Sequence, residues 1–310
     1  MNIVCVESLG ISQARFESLK VHYTSLGHTF VYYTDRCEDG STLVARMREA
    51  DVVVISNIKL PASVLSQCPH LKYLSVAFTG LDHINLDYCH EHSIIVQNAA
   101  GYSTVAVSEL AVGLMLDLLR GITTMNGLIR QGRGRGTFLG RELCGKTIGI
   151  VGTGAIGTAT ARLLLAFGSR VVAYSRTRRP EVASLGVEYL PLRDVLRLSD
   201  IVSLHTPLTA ETNGLVGATE LSLMKPTALL VNTARGPVCD MAAVAEALHE
   251  GRLAGAAFDV FEQEPPLPSG HPLLQAPNCL LTPHVAFATQ ESFASRADIV
   301  FSHVDDWLKA

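Results

Sequence analysis

The 310-residue chain has no apolar run approaching the roughly 18 residues of a membrane-spanning helix, so no bilayer span is expected. No basic stretch precedes its first apolar segment, Met1-Asn2-Ile3-Val4-Cys5-Val6, which excludes a signal-peptide reading of these residues. No C-x-x-C pair occurs, and the seven cysteines (5, 37, 68, 89, 144, 239 and 279) are scattered and odd in number. That argues against zinc or a disulfide framework and for a reducing, cytoplasmic setting. No metal is expected. A charge excess is missing too: a formal net charge of −4 gives no electrostatic case for nucleic acid or an anionic membrane. What remains, 48 % apolar residues over a length suited to about two domains, is an ordinary globular composition.

Short apolar segments alternate with amphipathic ones from the start. Strands are predicted over 1–6, 28–32, 51–55, 71–76 and 94–96, separated by helices over 11–26, 42–49, 61–67 and 86–90. From 147 the alternation restarts, with strands over 147–151, 170–174, 201–205, 228–232, 254–258 and 279–283. The expected class is α/β, with two doubly wound parallel-sheet domains. One is a Rossmann dinucleotide-binding domain over 100–284; the other is a flavodoxin-like substrate domain. The helix over 290–308 carries Phe293, Ala297, Val300, Val304 and Leu308 on one stripe. It should return to the first domain, which would then comprise 1–99 plus 285–310.

The helix over 103–120, opening on Ser103 and closing on Arg120, is apolar on almost every face. Such a helix is buried on all sides, in one large core or between domains or subunits. A homodimer through this helix is the expectation. Residues 127–140, with Arg130, Arg133 and Arg135 among five glycines, read as a flexible, solvated connector.

At 147–157 a short apolar strand runs into Gly152-Thr153-Gly154-Ala155-Ile156-Gly157, and a helical stretch over 159–167 follows. Glycines at this G-x-G-x-x-G spacing have separate tasks: a tight turn at Gly152, close approach of a pyrophosphate at Gly154, close helix packing at Gly157. The helix would aim unpaired N–H groups and its positive dipole end at the phosphates.

In such folds ligands lie beyond the carboxyl ends of the strands, so the residues there are candidates for chemistry. Arg235, after 228–232, could hold a carboxylate and an adjacent carbonyl through its planar fork. A surface ion pair with Asp240 or Glu264 is the alternative. His284 follows the last strand and could both give and take a proton near neutral pH. Glu264 could pair with it and favour its protonated form. His205, beside Thr206 and Pro207, would line the cofactor.

These motifs together resemble the D-isomer-specific 2-hydroxyacid dehydrogenases over nearly the whole chain. The resemblance rests on 152–157, His205-Thr206-Pro207-Leu208-Thr209, Val231-Asn232-Thr233-Ala234-Arg235-Gly236, 259–265, and Pro283-His284 with Ala286. It implies that Arg235 binds substrate carboxylate and carbonyl, that His284 is the general acid/base, and that Glu264 rather than Glu262 pairs with it. It also implies that Ala77, Phe78, Thr79 and Gly80 grip the substrate carboxylate through backbone N–H groups, and that the helix over 103–120 forms a dimer. Thr104, Thr212, Thr233, Ala234 and Asp259 complete the expected cofactor contacts. The implied activity is an NAD(P)-dependent interconversion of a 2-ketoacid and a D-2-hydroxyacid, run as a glyoxylate, hydroxypyruvate or pyruvate type of reductase. Alternatives are a phosphoglycerate, formate or phosphite dehydrogenase, or a non-catalytic cofactor-sensing scaffold like some corepressors. The end of the sequence at Ala310, with no appended regulatory domain, weighs against a regulated biosynthetic role.

Two departures matter. The acidic residue expected about 20 residues beyond the glycines is missing; Tyr174-Ser175-Arg176-Thr177-Arg178-Arg179 stands there instead. Ser175, Arg176 and Thr177 could hydrogen-bond a 2′-phosphate that a carboxylate would repel, so NADP(H) is expected in preference to NAD(H). A solvated turn before Pro180 is the plainer reading. Phe287 stands where many relatives carry Trp, and with Phe78 it would line the substrate pocket.

Overall fold

The computed structural model describes residues 1–263 and 266–309. The chain divides into two compact units, Met1–Ser103 with Ala288–Ala310, and Thr104–Phe287.

The first unit is built on five parallel strands: β1 (Asn2–Cys5), β2 (Thr29–Tyr32), β3 (Val52–Ile55), β4 (Tyr73–Val76) and β5 (Ile95–Asn98), in the order β2-β1-β3-β4-β5. β3 and β4 are buried at every residue, as strands covered on both faces must be. The helix Gln13–Ser25 begins where the Ser12 side chain accepts from the Arg15 N–H, and it ends before Gly27 at φ +80°. The helix Gln290–Lys309 belongs to this unit: the Ser75 hydroxyl donates to the Val300 carbonyl at 3.0 Å, and Tyr73 stacks on Trp307. The strand order reverses direction between β1 and β3, the place where doubly wound sheets open a crevice.

The second unit holds seven parallel strands: β6 (Thr147–Val151), β7 (Arg170–Tyr174), β8 (Glu188–Tyr189), β9 (Ile201–Leu204), β10 (Leu229–Asn232), β11 (Gly255–Phe258) and β12 (Cys279–Leu281). Their order is β12-β11-β10-β9-β6-β7-β8. Successive side chains enter opposite cores. Ile148, Ile150, Val171, Val231 and Ala257 join the helix Thr104–Arg120 on one face; Val151, Val172, Leu230 and Phe258 pack on the other. No helix among the described residues is long and apolar enough to cross a membrane.

Three expectations differ from the structure. β8 was not predicted, because two residues carry no readable periodicity; its register with Val172 and Ala173 adds a seventh strand. Residues 127–130 of the supposed connector instead close the helix Ile122–Arg130, opened by Gly121 in the left-handed conformation. The helix after the glycines starts at Ala155, inside the motif, since Gly154 is already its N-cap.

Candidate active site

β6 ends at Val151 and the chain turns at Gly152, φ +97°, where a Cβ would lie 2.6 Å from the His205 carbonyl oxygen. Gly157 leaves even less room: its Cβ would stand 2.0 Å from the Gly152 oxygen. Gly154 is the opposite case, with no atom within 4 Å of its would-be Cβ, so backbone there is open to a ligand. It caps the helix Ala155–Ala166 without a side chain, and the N–H groups of Gly154, Ala155 and Ile156 find no acceptor among the described residues. Bare donors at the positive end of a helix form an anion cradle.

Tyr189 on β8 steadies this loop. Its hydroxyl donates to Thr153 Oγ1 at 2.8 Å and accepts from the Arg179 N–H at 3.3 Å. The glycine loop is thereby tied to the turn after β7, where Ser175 is half-buried and Arg176, Thr177, Arg178 and Arg179 are exposed. Arg179 reaches Glu181, whereas Arg176 forms no ion pair among the described residues.

At the end of β9, His205 Nε2 lies 2.9 Å from the Ser203 hydroxyl. Burial pushes the imidazole down to about 4, so it is neutral at physiological pH. Beside it Thr206 Oγ1, and at the end of β10 Thr233 Oγ1, are buried without a partner among the described residues. Buried hydroxyls are seldom left so. Two of them on adjacent strand ends, next to an open anion cradle, fit the polar groups of a dinucleotide. Thr212 closes the following loop, its hydroxyl donating to the Pro207 carbonyl at 2.6 Å.

Arg235 sits half-buried after β10 in extended conformation, its Nη1 donating to the Ala234 carbonyl at 2.7 Å. Asn232, fully buried, fixes that loop. Its amide donates to the Arg235 carbonyl at 2.9 Å and accepts from the Ala234 N–H at 3.0 Å. Gly236 allows the loop to press on the next one, since a Cβ would stand 2.0 Å from the Phe261 carbonyl carbon. Asp240 caps the helix Met241–His249 through the Ala243 N–H.

His284 follows β12 at φ +53°, a conformation that side chains other than glycine seldom adopt. Asp259, expected among the cofactor contacts, has both carboxylate oxygens engaged by this turn. It accepts from Thr282 Oγ1 at 2.6 Å, Val285 N–H at 2.9 Å and Ala286 N–H at 2.9 Å, while its carbonyl accepts the His284 N–H at 2.8 Å. Burial pushes the Asp259 carboxyl up, and those donors pull it back. Phe287 meets the His284 ring edge-on with centroids 5.2 Å apart. Glu262 is engaged elsewhere, 3.1 Å from His271 Nε2. Glu264 lies outside the described residues.

Ala77, Phe78, Thr79 and Gly80 follow β4 in the first unit. The Ala77 N–H is held by the Ile55 carbonyl at 2.6 Å, while those of Thr79 and Gly80 find no acceptor among the described residues. Thr104 opens the helix Thr104–Arg120 and is half-buried.

A family model for the D-isomer specific 2-hydroxyacid dehydrogenase, NAD binding domain, matches residues 112–286. The chain belongs to this family. It is thus an oxidoreductase acting on a CH–OH group, and its second unit contains the NAD-binding Rossmann region. A glyoxylate reductase of Thermofilum pendens is 43 % identical over 86 % of this chain and 81 % of its own. A hydroxypyruvate reductase of Blautia hydrogenotrophica is 31 % identical over 92 % of this chain and 90 % of its own. Among solved structures, the D-lactate dehydrogenase of Aquifex aeolicus complexed with NAD and lactic acid superposes with a TM-score of 0.85 at 30 % identity, covering 99 % of this chain and 95 % of that one.

Within this dehydrogenase, sequence reasoning missed three supporting residues. Asn232 carried a signal, a polar residue inside an otherwise apolar strand that must find partners when buried. Ser203 gave the same signal within Ile201–Leu204. Tyr189 gave none, since β8 itself was illegible.

The neutral His205 sets a pH dependence. An unfolded histidine takes a proton below about pH 6.5, whereas folded His205 refuses it until about pH 4. The unfolded state therefore binds more protons across that window, and stability falls as pH falls through it. Urea denaturation from pH 7 to 4 should show a shallower decline for His205→Asn than for wild type. Equal slopes would contradict the assignment.

Proposed function

We propose that the protein reduces a small 2-ketoacid, of the glyoxylate, hydroxypyruvate or pyruvate type, to the D-2-hydroxyacid, with NADP(H) preferred over NAD(H). The observation that carries this reading is the placement of Arg235 and His284 on loops at the carboxyl ends of β10 and β12, in the same sheet as the glycine cradle. The substrate class is supported by relatives named as glyoxylate and hydroxypyruvate reductases.

The bound nicotinamide dinucleotide would supply hydride to C2 of the ketoacid. Residues 152–157 would hold its pyrophosphate, Ser175, Arg176 and Thr177 its adenosine ribose with the 2′-phosphate, and the hydroxyls of Thr206 and Thr233 its remaining polar groups. Arg235 binds the keto oxygen and carboxylate through paired N–H groups and stabilises the negative charge that grows on the oxygen, commonly the largest catalytic effect. His284 donates the proton that this oxygen takes up, with Glu264 favouring the charged imidazole. Within 77–80, the N–H groups of Thr79 and Gly80 would grip the carboxylate, that of Ala77 being taken by Ile55. Neutral His205 adds no charge beside the cofactor.

The helix Thr104–Arg120 supports a homodimer. It fills one core of its unit yet leaves Val105 65 % exposed, and nearby in sequence Ile122, Ile129 and Leu139 are 57 %, 67 % and 81 % exposed. A second copy covering these side chains would remove them from water. All seven cysteines are free, which supports residence in the reducing cytoplasm.

His284→Ala should lower kcat at least about 10²-fold while NADPH binding, followed by fluorescence, is kept. Wild-type turnover would remove His284 from the role. For the cofactor, kcat/KM should be higher with NADPH than with NADH, and Arg176→Ala should narrow the gap; a clear NADH preference in the wild type contradicts the reading. Sedimentation equilibrium should give the mass of two chains, and the mass of one would contradict the dimer.

A further inference from the structure

The helix Gln290–Lys309 buries Ala297, Val300, Phe301 and Val304 against the first unit, and among them it also buries Arg296, only 4 % exposed. A buried guanidinium is costly unless its donors are met, and an apolar side chain would fill the space without that demand. Here its fork meets several elements at once. Nε and Nη2 donate to the Leu9 carbonyl at 3.2 and 2.8 Å, and Nη1 donates to Ser56 Oγ at 3.1 Å. The Tyr102 side chain hydrogen-bonds the same guanidinium, and the Phe293 ring lies 4.0 Å beneath its central carbon.

Ser56, at the carboxyl end of β3, is engaged at every polar atom. Its N–H donates to Glu7 Oε1 at 2.8 Å, its hydroxyl donates to the Ala77 carbonyl at 3.4 Å, and its carbonyl accepts from His83 Nε2 at 2.9 Å. Tyr102 and His83 in turn flank the Phe78 ring, with centroids 6.4 and 6.0 Å away. Two of the groups that Arg296 touches, Ser56 and Tyr102, therefore bear on Ala77 and Phe78, the start of the loop whose next two N–H groups are uncommitted.

We propose that Arg296 is a positioning residue for ketoacid binding, fixing the backbone and ring of Ala77–Phe78 through Ser56 and Tyr102. The proposal rests on the reading of 77–80 as the carboxylate grip. A planar fork suits the task because it dictates the directions of several acceptors together, which a lysine cannot do.

The test is steady-state kinetics of the full chain with the best-used of glyoxylate, hydroxypyruvate and pyruvate, alongside thermal melting. Ser56→Ala and Tyr102→Phe each remove one hydroxyl and should raise the ketoacid KM about three- to tenfold, the worth of one hydrogen bond. The NADPH KM and kcat should stay within about twofold. Arg296→Lys should match the Ser56→Ala/Tyr102→Phe double variant, and adding it to that double variant should raise the ketoacid KM no further. An unchanged ketoacid KM, or a ketoacid and NADPH KM that rise together with a lowered Tm, overturns the proposal in favour of a merely structural role. Phe78→Leu separates the two readings. If it raises the ketoacid KM while Ser56→Ala and Tyr102→Phe do not, the loop reading stands and the positioning role fails. If it too leaves the ketoacid KM unchanged, the loop reading fails and takes the proposal with it.

Discussion

The carboxylate of Asp259 holds the turn that carries His284, the proton donor of the proposed reaction. A histidine at φ +53° is strained, by about 1–3 kcal/mol for a residue in so sparsely populated a region. Three donors on one buried carboxylate, and the His284 N–H on the backbone carbonyl of the same residue, outweigh it, since hydrogen bonds to a charged group contribute about 1.5–3 kcal/mol each. The strain is thus stable only while the clamp is intact. The backbone of His284, three residues beyond β12, is held by this clamp.

The same device recurs one strand away. Asn232 holds the Arg235 loop by its amide, and Gly236 lets that loop press against 261–262, just beyond Asp259. Side by side at the ends of β10 and β11, two buried polar residues fix the two loops carrying Arg235 and His284, the groups proposed to react. Further along the sheet, Tyr189 does the corresponding work for the glycine loop, and burial keeps His205 uncharged next to two unpartnered hydroxyls. The groups proposed to act at this edge are held in place by buried polar neighbours.

Much of this was legible in the sequence. Both sheets could be read because parallel strands buried on two faces appear as short apolar runs, and 147–151 and 170–174 match β6 and β7 residue for residue. The glycine motif was legible because each glycine answers a steric demand of the turn, visible now as Cβ clashes at Gly152 and Gly157 and as open space at Gly154. Other features were not. β8 is too short to have a period, and the helix Ile122–Arg130 hides behind glycines that suggested a connector. Asp259 was named for its position at a strand end, but position cannot reveal that three donors from a turn 23 to 27 residues later converge on it. Long-range hydrogen bonds leave no local pattern.

Asp259→Asn tests most directly whether Asp259 acts on the proposed catalysis by holding His284. The amide keeps the shape of the carboxylate but presents an NH₂ group to one of the three donors. The decisive measurement is kcat for ketoacid reduction set beside the NADPH dissociation constant of the same folded variant. The expected result is a kcat at least about tenfold lower with the dissociation constant within about twofold of wild type. A wild-type kcat, or a loss of NADPH binding with turnover preserved at saturation, would contradict it.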